Sequence, residues 1–291
     1  MHRVQLHSAS HPTYDLLLAA GASPEESPVR ELARFNRAVN LVVGEDIVAL
    51  VTPSLGNGPF HLIVDPLPPP LIGDLHRVRL EAGCLHIGSW ALDLAPSFTV
   101  WDPRPRWDLL RPRKSSRRHL LSANRAIGRP QWAAGSASQH STQRRLAHHS
   151  RELSEDILSQ DLAAVRAAAS ALSGLGPGLT PAGDDFLAGL MLALWAGDHP
   201  MRESLCHAIW SGTCERTTKL AGAYLAAAAQ GGCDEKWHDL LRALATPTAQ
   251  ARAAVRRAAG RIRDFGATSG TDTLMGFAMG LDACAAVGAR V

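Results

Sequence analysis

Gly174-Leu175-Gly176-Pro177-Gly178-Leu179-Thr180-Pro181-Ala182-Gly183-Asp184-Asp185-Phe186-Leu187-Ala188-Gly189 stands between two stretches rich in Ala and Leu. Four glycines within ten residues, two prolines and two adjacent acids interrupt a helical pattern and then restart it. Thr180 reads as an N-cap with Pro181 in the first helical position, so a helix begins here with its free N–H groups facing the glycine-rich approach. Such a helix start suits a phosphate or a carboxylate. The plainer alternative is a tight helix-to-helix turn in which Asp184 and Asp185 complement the helix dipole. A nucleotide P-loop is excluded, because G-K-[ST] is missing and no strand precedes the glycines.

Downstream, Ala267-Thr268-Ser269-Gly270-Thr271-Asp272-Thr273-Leu274-Met275-Gly276 opens another long apolar helix. Laying Thr268 on Thr180 places Asp272 on Asp184 and Thr273 on Asp185. If the two starts converge, hydroxyls, backbone N–H groups and three carboxylates (Asp184, Asp185, Asp272) share one pocket for a small anion, with Mg²⁺ as the one cofactor such acids invite. Gly176, Gly178, Thr180, Gly183, Ser269, Gly270, Thr271 and Thr273 are the candidate anion-binding residues. Glu215-Arg216-Thr217-Thr218-Lys219 heads another helix and adds Thr217, against the alternative of an ordinary capped start. Asn36 and Asn40 are weaker candidates in the first third of the chain.

Proline and charge divide the 291 residues. Fourteen of the 18 prolines precede residue 151, and Trp101 to Arg151 holds 12 Lys and Arg against two acids, although the whole chain is only +3. Residues 1–101 therefore read as a mainly β domain, 102–150 as a basic connecting segment and 151–291 as an all-helical domain carrying the Gly-rich loop. The expected fold is α+β: a small antiparallel β barrel or sandwich followed by an all-helical bundle of about seven helices.

In the first part, short segments bounded by Gly, Pro and Asp predict strands over 39–43, 46–52, 60–64, 77–80, 85–87, 90–94 and 98–101, after one helix around 28–37. Ser54 to Phe60 reads as a hairpin turn, and Pro66 to Pro70 as an edge or surface connection. In the second part, helices are predicted over 152–171, 185–195, 201–210, 215–229, 235–244, 248–265 and 272–287. A helix near 119–127 falls in the connection.

With 46% hydrophobic and 20% charged residues the chain reads as soluble and globular. The longest apolar run, Phe186 to Ala196, is 11 residues, against the roughly 20 that a bilayer needs. No apolar leader opens the sequence, so no membrane partner is expected and the location is read as cytoplasmic. Five scattered cysteines read as reduced thiols, and the adjacent His148 and His149 follow no known metal-ligand pattern. The arginines of 104–129, with Trp101, Trp107 and Trp132, lack a nucleic-acid reading motif. They fit a protein- or domain-docking surface better, so no nucleic-acid partner is expected.

The Gly174–Gly189 motif, together with Ser269-Gly270-Thr271-Asp272-Thr273-Leu274 and Gly276, resembles the bacterial AllH-type family. Phe35-Asn36-Arg37-Ala38-Val39-Asn40-Leu41 and the Gly58-Pro59-Phe60 turn extend the resemblance over roughly residues 30 to 285. Ala267-Thr268 departs from the more polar pair expected before Ser269. The resemblance implies a subunit of an oxamate carbamoyltransferase of purine and allantoin breakdown. Such a subunit acts beside FdrA-type (AllF) and AllG-type subunits to convert oxalurate and phosphate into oxamate and carbamoyl phosphate.

Under that reading the chain is active only with its partners, and a homo-oligomer is also open. Two other classes compete: a stand-alone Mg-dependent hydrolase held by Asp184, Asp185 and Asp272, and a non-catalytic scaffold. Starts at Thr180 and Ser269 lying more than roughly 15 Å apart, beyond the reach of side chains around one small ligand, would support the scaffold.

Overall fold

A computed structural model describes residues 2–22, 28–71, 76–81, 84–94, 98–110, 137–245 and 251–287. The chain forms two compact units, Met1–Pro103 and Arg104–Val291. The helix expected near 119–127 and Trp132 lie outside the described residues.

In the first unit the strands are β1 (His2–Ser10), β2 (Pro28–Phe35), β3 (Ala38–Val43), β4 (Asp46–Val51), β5 (His61–Asp65), β6 (His76–Glu81), β7 (Cys84–Ile87), β8 (Trp90–Asp93) and β9 (Thr99–Trp101). Eight of them follow the order β5-β4-β3-β2-β6-β7-β8-β1, and a β1–β5 pairing closes the ring into a barrel, with β9 added beside β1. Strand alternation fills the interior: Val39, Leu41 and Val43 of β3, Val48 and Leu50 of β4, Leu85 and Ile87 of β7, and Trp90 and Leu92 of β8 are buried together. Helix α1 (His11–Ala22) adds Leu17 and Ala20 to that core.

Three expectations are corrected here. Residues 28–35 form strand β2, not a helix. The cause is a bulge between Glu31 and Ala33, where β2 pairs with β3; the extra residue breaks the two-residue alternation and imitates helical spacing. The Glu31–Arg34 ion pair at three-residue spacing adds to the imitation, while Arg34 also donates to the carbonyls of Pro68 and Pro69 and so holds the Pro-rich connection on the surface.

Ser54 to Phe60 is not a hairpin turn, because β4 and β5 on either side of it pair in parallel. The loop is tied to β1 instead: Ser8 donates to Asn57 Oδ1 at 2.7 Å and Ser10 to the Pro59 carbonyl at 2.5 Å. The barrel is accordingly not purely antiparallel, since β1 also runs parallel to β8 and β9.

Among the described residues of the second unit the regular elements are helices: α2 (Trp107–Leu110), α3 (Ala137–Ser159), α4 (Leu162–Leu172), α5 (Ala182–Ala196), α6 (Arg202–Thr213), α7 (Lys219–Ala229), α8 (Glu235–Ala245), α9 (Ala251–Arg263) and α10 (Ser269–Val287). The single helix expected over 152–171 is two. Gln160 takes a φ of 61°, and Asp161 caps α4 by accepting from Ala163 N and Ala164 N. Trp107 lies against Trp195 and donates to the Gly231 carbonyl. Among the described residues no helix is long and apolar enough to cross a membrane.

The central feature of this unit is the crossing of α5 and α10. A Cβ on Gly189 would stand 1.8 Å from the Thr273 carbonyl oxygen, and one on Gly276 would stand 1.8 Å from that of Phe186. Farther along, Gly280 meets Leu190 and Ala193, so the contacts advance in the same direction on both helices. The helices therefore run parallel at backbone contact, and their N-termini lie side by side.

Gly276→Ala must force the helices apart and is expected to cost about 2–4 kcal/mol in denaturant unfolding. Gly260→Ala, inside α9 where a Cβ meets nothing within 4 Å, is expected to gain about 0.5–1 kcal/mol.

Candidate functional site

The loop before α5 takes its shape from glycines in the left-handed region. Gly178, at a φ of 99°, needs that freedom although a Cβ there would meet nothing within 4 Å, so the space in front of the loop is open. The N–H groups of Gly176, Gly178, Leu179 and Thr180 make no hydrogen bond with a described residue, which leaves a row of donors along the loop.

The expected cap is corrected. Pro181, extended at ψ 146°, is the N-cap without a side-chain bond, because Thr180 sits one residue too early. The N–H groups of the first turn do not face the loop as open donors: Gly183 N donates to the Leu175 carbonyl, and Asp184 N and Asp185 N both donate to that of Pro181. Thr180 is thereby released, and its hydroxyl lies 3.0 Å from that of Ser269 at the start of α10. The two starts converge, so the separation that would have supported a mere scaffold is not found.

Asp184 and Asp185, adjacent in sequence, face different surroundings. Asp184 is 2% exposed and is saturated by donors: Oδ1 accepts from Ser173 Oγ at 3.2 Å, and Oδ2 accepts from Gly174 N at 3.0 Å and Thr217 Oγ1 at 2.7 Å. Burial raises its pKa, against the three hydrogen bonds. This carboxylate clasps the end of α4, the loop and the α6–α7 connection, and the Thr217 hydroxyl serves that clasp rather than an anion. Thr218 caps α7 through Ala221 N and donates to the Leu179 carbonyl, which pins the loop from outside.

Asp185 points toward the paired hydroxyls. Its Oδ2 is shielded from solvent and accepts no hydrogen bond. Burial pushes its pKa up to about 8; the neighbouring carboxylates of Asp272 and Asp184 add to the rise, and the hydroxyls of Ser269 and Thr180 oppose it. At neutral pH the group is mostly a neutral acid able to donate a proton or a hydrogen bond. Asp272 is buried on the first turn of α10, where its N–H meets the Thr268 carbonyl.

Thr273 donates to the Ser269 carbonyl at 2.6 Å, within its own helix. Gly270 serves packing, since a Cβ there would lie 1.9 Å from the Ile262 carbonyl oxygen of α9. Thr271 lies half-buried on the same first turn.

Magnesium does not fit the three acids as a set. Both Asp184 oxygens already accept hydrogen bonds, and the three carboxylates are not among the groups whose ligand atoms gather within 4.8 Å of one another. Among the described residues that condition is met by His148, His149 and Glu152 of α3.

Asn36 and Asn40 belong to the barrel. Asn36 is exposed in the two-residue turn between β2 and β3, and Asn40 is 6% exposed on β3 opposite Ala33 and Ala49. Spacing gave no hint of Ser173 or Tyr224. Tyr224, on α7, has its phenol pKa pushed well above its ordinary value by burial and then by the carboxylates of Asp234 and Asp185, so it remains a neutral donor beside this acidic group.

Residues 172–281, which begin at the last residue of α4 and run into α10, match the family model of the oxamate carbamoyltransferase subunit AllH. The AllH-type resemblance is borne out over residues 172–281. No solved structure matches the chain. The AllH match takes in the loop, the clasp and both helix starts, so the segment defined by the family coincides with the geometry described above.

Two measurements test this electrostatic picture. A raised Asp185 pKa means that the folded state holds its proton more tightly than the unfolded chain. The stability contributed by the protonated form is therefore complete below about pH 4 and is lost as pH rises toward 8. Asp185→Asn should melt with the wild type near pH 4 and about 5 °C or more above it at pH 8. Thr217→Val removes a donor from buried Asp184 and is expected to lower stability by about 1–3 kcal/mol at pH 7.

Proposed function

We propose that the chain is a subunit of an oxamate carbamoyltransferase that binds a small anion where the starts of α5 and α10 meet. The observation that carries the reading is the 3.0 Å contact of Thr180 and Ser269, with Asp185 facing it and the N–H row of the Gly loop beside it. Phosphate, carbamoyl phosphate and oxamate are all small oxyanions that such donors hold. The matched family is described as an oxamate carbamoyltransferase subunit, and the reaction we read from that is oxalurate and phosphate giving oxamate and carbamoyl phosphate.

In that reaction a phosphate oxygen attacks the carbamoyl carbon. The tetrahedral intermediate then expels the oxamate nitrogen, which takes up the proton that phosphate loses. No protein nucleophile is required, since alignment and fixed donors around the developing charge supply the rate. Loop N–H groups and the hydroxyls of Thr180, Ser269 and Thr271 would hold the anion. Asp185, neutral at pH 7, would donate to a ligand oxygen where a carboxylate would repel it.

Asp184 works one step back by fixing the loop. The partners in this reading are FdrA-type (AllF) and AllG-type subunits, the setting is purine and allantoin breakdown in the cytoplasm, and the isolated chain turns over little.

Reconstitution with those partners tests the reading. Ser269→Ala and Asp272→Ala are each expected to reduce phosphate-dependent oxalurate cleavage by about 10-fold or more. Full activity in both variants would overturn the site, and a wild-type complex unable to cleave oxalurate would overturn the reaction.

A further inference from the structure

Behind the loop, on the face formed by α4 and the end of α6, lies a groove of about 600 Å³ lined by Arg166, Ser170, Ser211, Gly212, Glu215 and Arg216. Its size falls within the range of small-molecule sites. Arg166 reaches it from α4 and Arg216 from the residues that follow α6, and neither guanidinium has an ion-pair or hydrogen-bond partner among the described residues. Ser170 likewise has a free hydroxyl, whereas Ser211 donates to the Ala208 carbonyl.

The walls are small because the helices touch: a Cβ on Gly212 would lie 2.5 Å from the Arg166 carbonyl oxygen. Two guanidiniums on separate elements, unpaired among the described residues and facing one concave space that Ser170 also lines, offer many more N–H donors than a single carboxylate can accept. They match a group with three or more acceptor oxygens. Glu215 on the rim disfavours a run of acidic residues, and so disfavours an acidic peptide.

We infer that this groove is a second anion site of the helical unit, built for a phosphate-bearing small molecule held between Arg166 and Arg216. It stands apart from the paired helix starts and does not depend on the carbamoyl-transfer reading. It does share a wall with the Asp184 clasp. Arg216 N donates to the Thr213 carbonyl, which lies 3.5 Å from Ser173 Oγ; Gly174 packs on the Arg216 carbonyl; and the next residue, Thr217, is a donor to Asp184.

Calorimetric titration of the full chain with inorganic pyrophosphate tests the site, with malonate and a hexaglutamate peptide as the carboxylate and acidic-peptide arms. The expected result is pyrophosphate binding that weakens about 10-fold or more in Arg166→Ala and again in Arg216→Ala. Arg216→Lys should weaken it less, Ser170→Asp should abolish it, and Ser269→Ala should leave it intact. Binding lost in Ser269→Ala but kept in both arginine variants would place the anion at the paired helix starts and overturn the proposal. So would an absence of pyrophosphate binding at millimolar concentration, or tighter binding of either carboxylate probe.

Discussion

Two helices in backbone contact impose their geometry on everything around the candidate site. Gly189 and Gly276 each face a carbonyl oxygen of the opposite helix at a distance that no side chain could share. Because α5 and α10 run parallel, that contact also brings their first turns together, and the hydroxyls of Thr180 and Ser269 meet as a consequence. An antiparallel crossing of the same two sequences would have put the two motifs at opposite ends.

Around this crossing, burial separates the roles of two adjacent carboxylates. Asp184 and Asp185 lie one residue apart on a helix, about 100° around its axis, so they cannot face the same neighbours. Asp184 turns toward the end of α4 and meets three donors, which makes it a structural clasp. Asp185 turns toward α10, where burial, and with it the like charges of Asp272 and Asp184, raises its pKa against the opposing hydroxyls of Ser269 and Thr180. The acid with the fuller hydrogen-bond set holds the loop in place, and the acid with the poorer set is the one we propose acts on a ligand.

Much of this was legible in the primary structure. The loop motif, its echo at 268–276 and most of the strands and helices follow from glycine, proline and hydrophobic spacing, which are local properties. Strand β2 was not, because its bulge removes the alternation by which a strand is recognised. The Ser54–Phe60 loop carries hairpin chemistry yet joins parallel strands, since its partners on β1 lie 49 residues away in sequence. Thr180 looked like a cap until Pro181 took that place.

The sequence by itself determined that two elements start with a hydroxyl, small residues and an acid, that a glycine-rich loop precedes the first of them, and that the chain changes character near its first third. Only the tertiary structure decided that those starts adjoin, that Thr217 serves Asp184, and that Arg166 and Arg216 line one groove. The physical reason is that composition and periodicity report how a residue relates to its own helix or strand. The direction of a crossing, the partner of a buried carboxylate and its pKa depend on atoms brought in from tens of residues away.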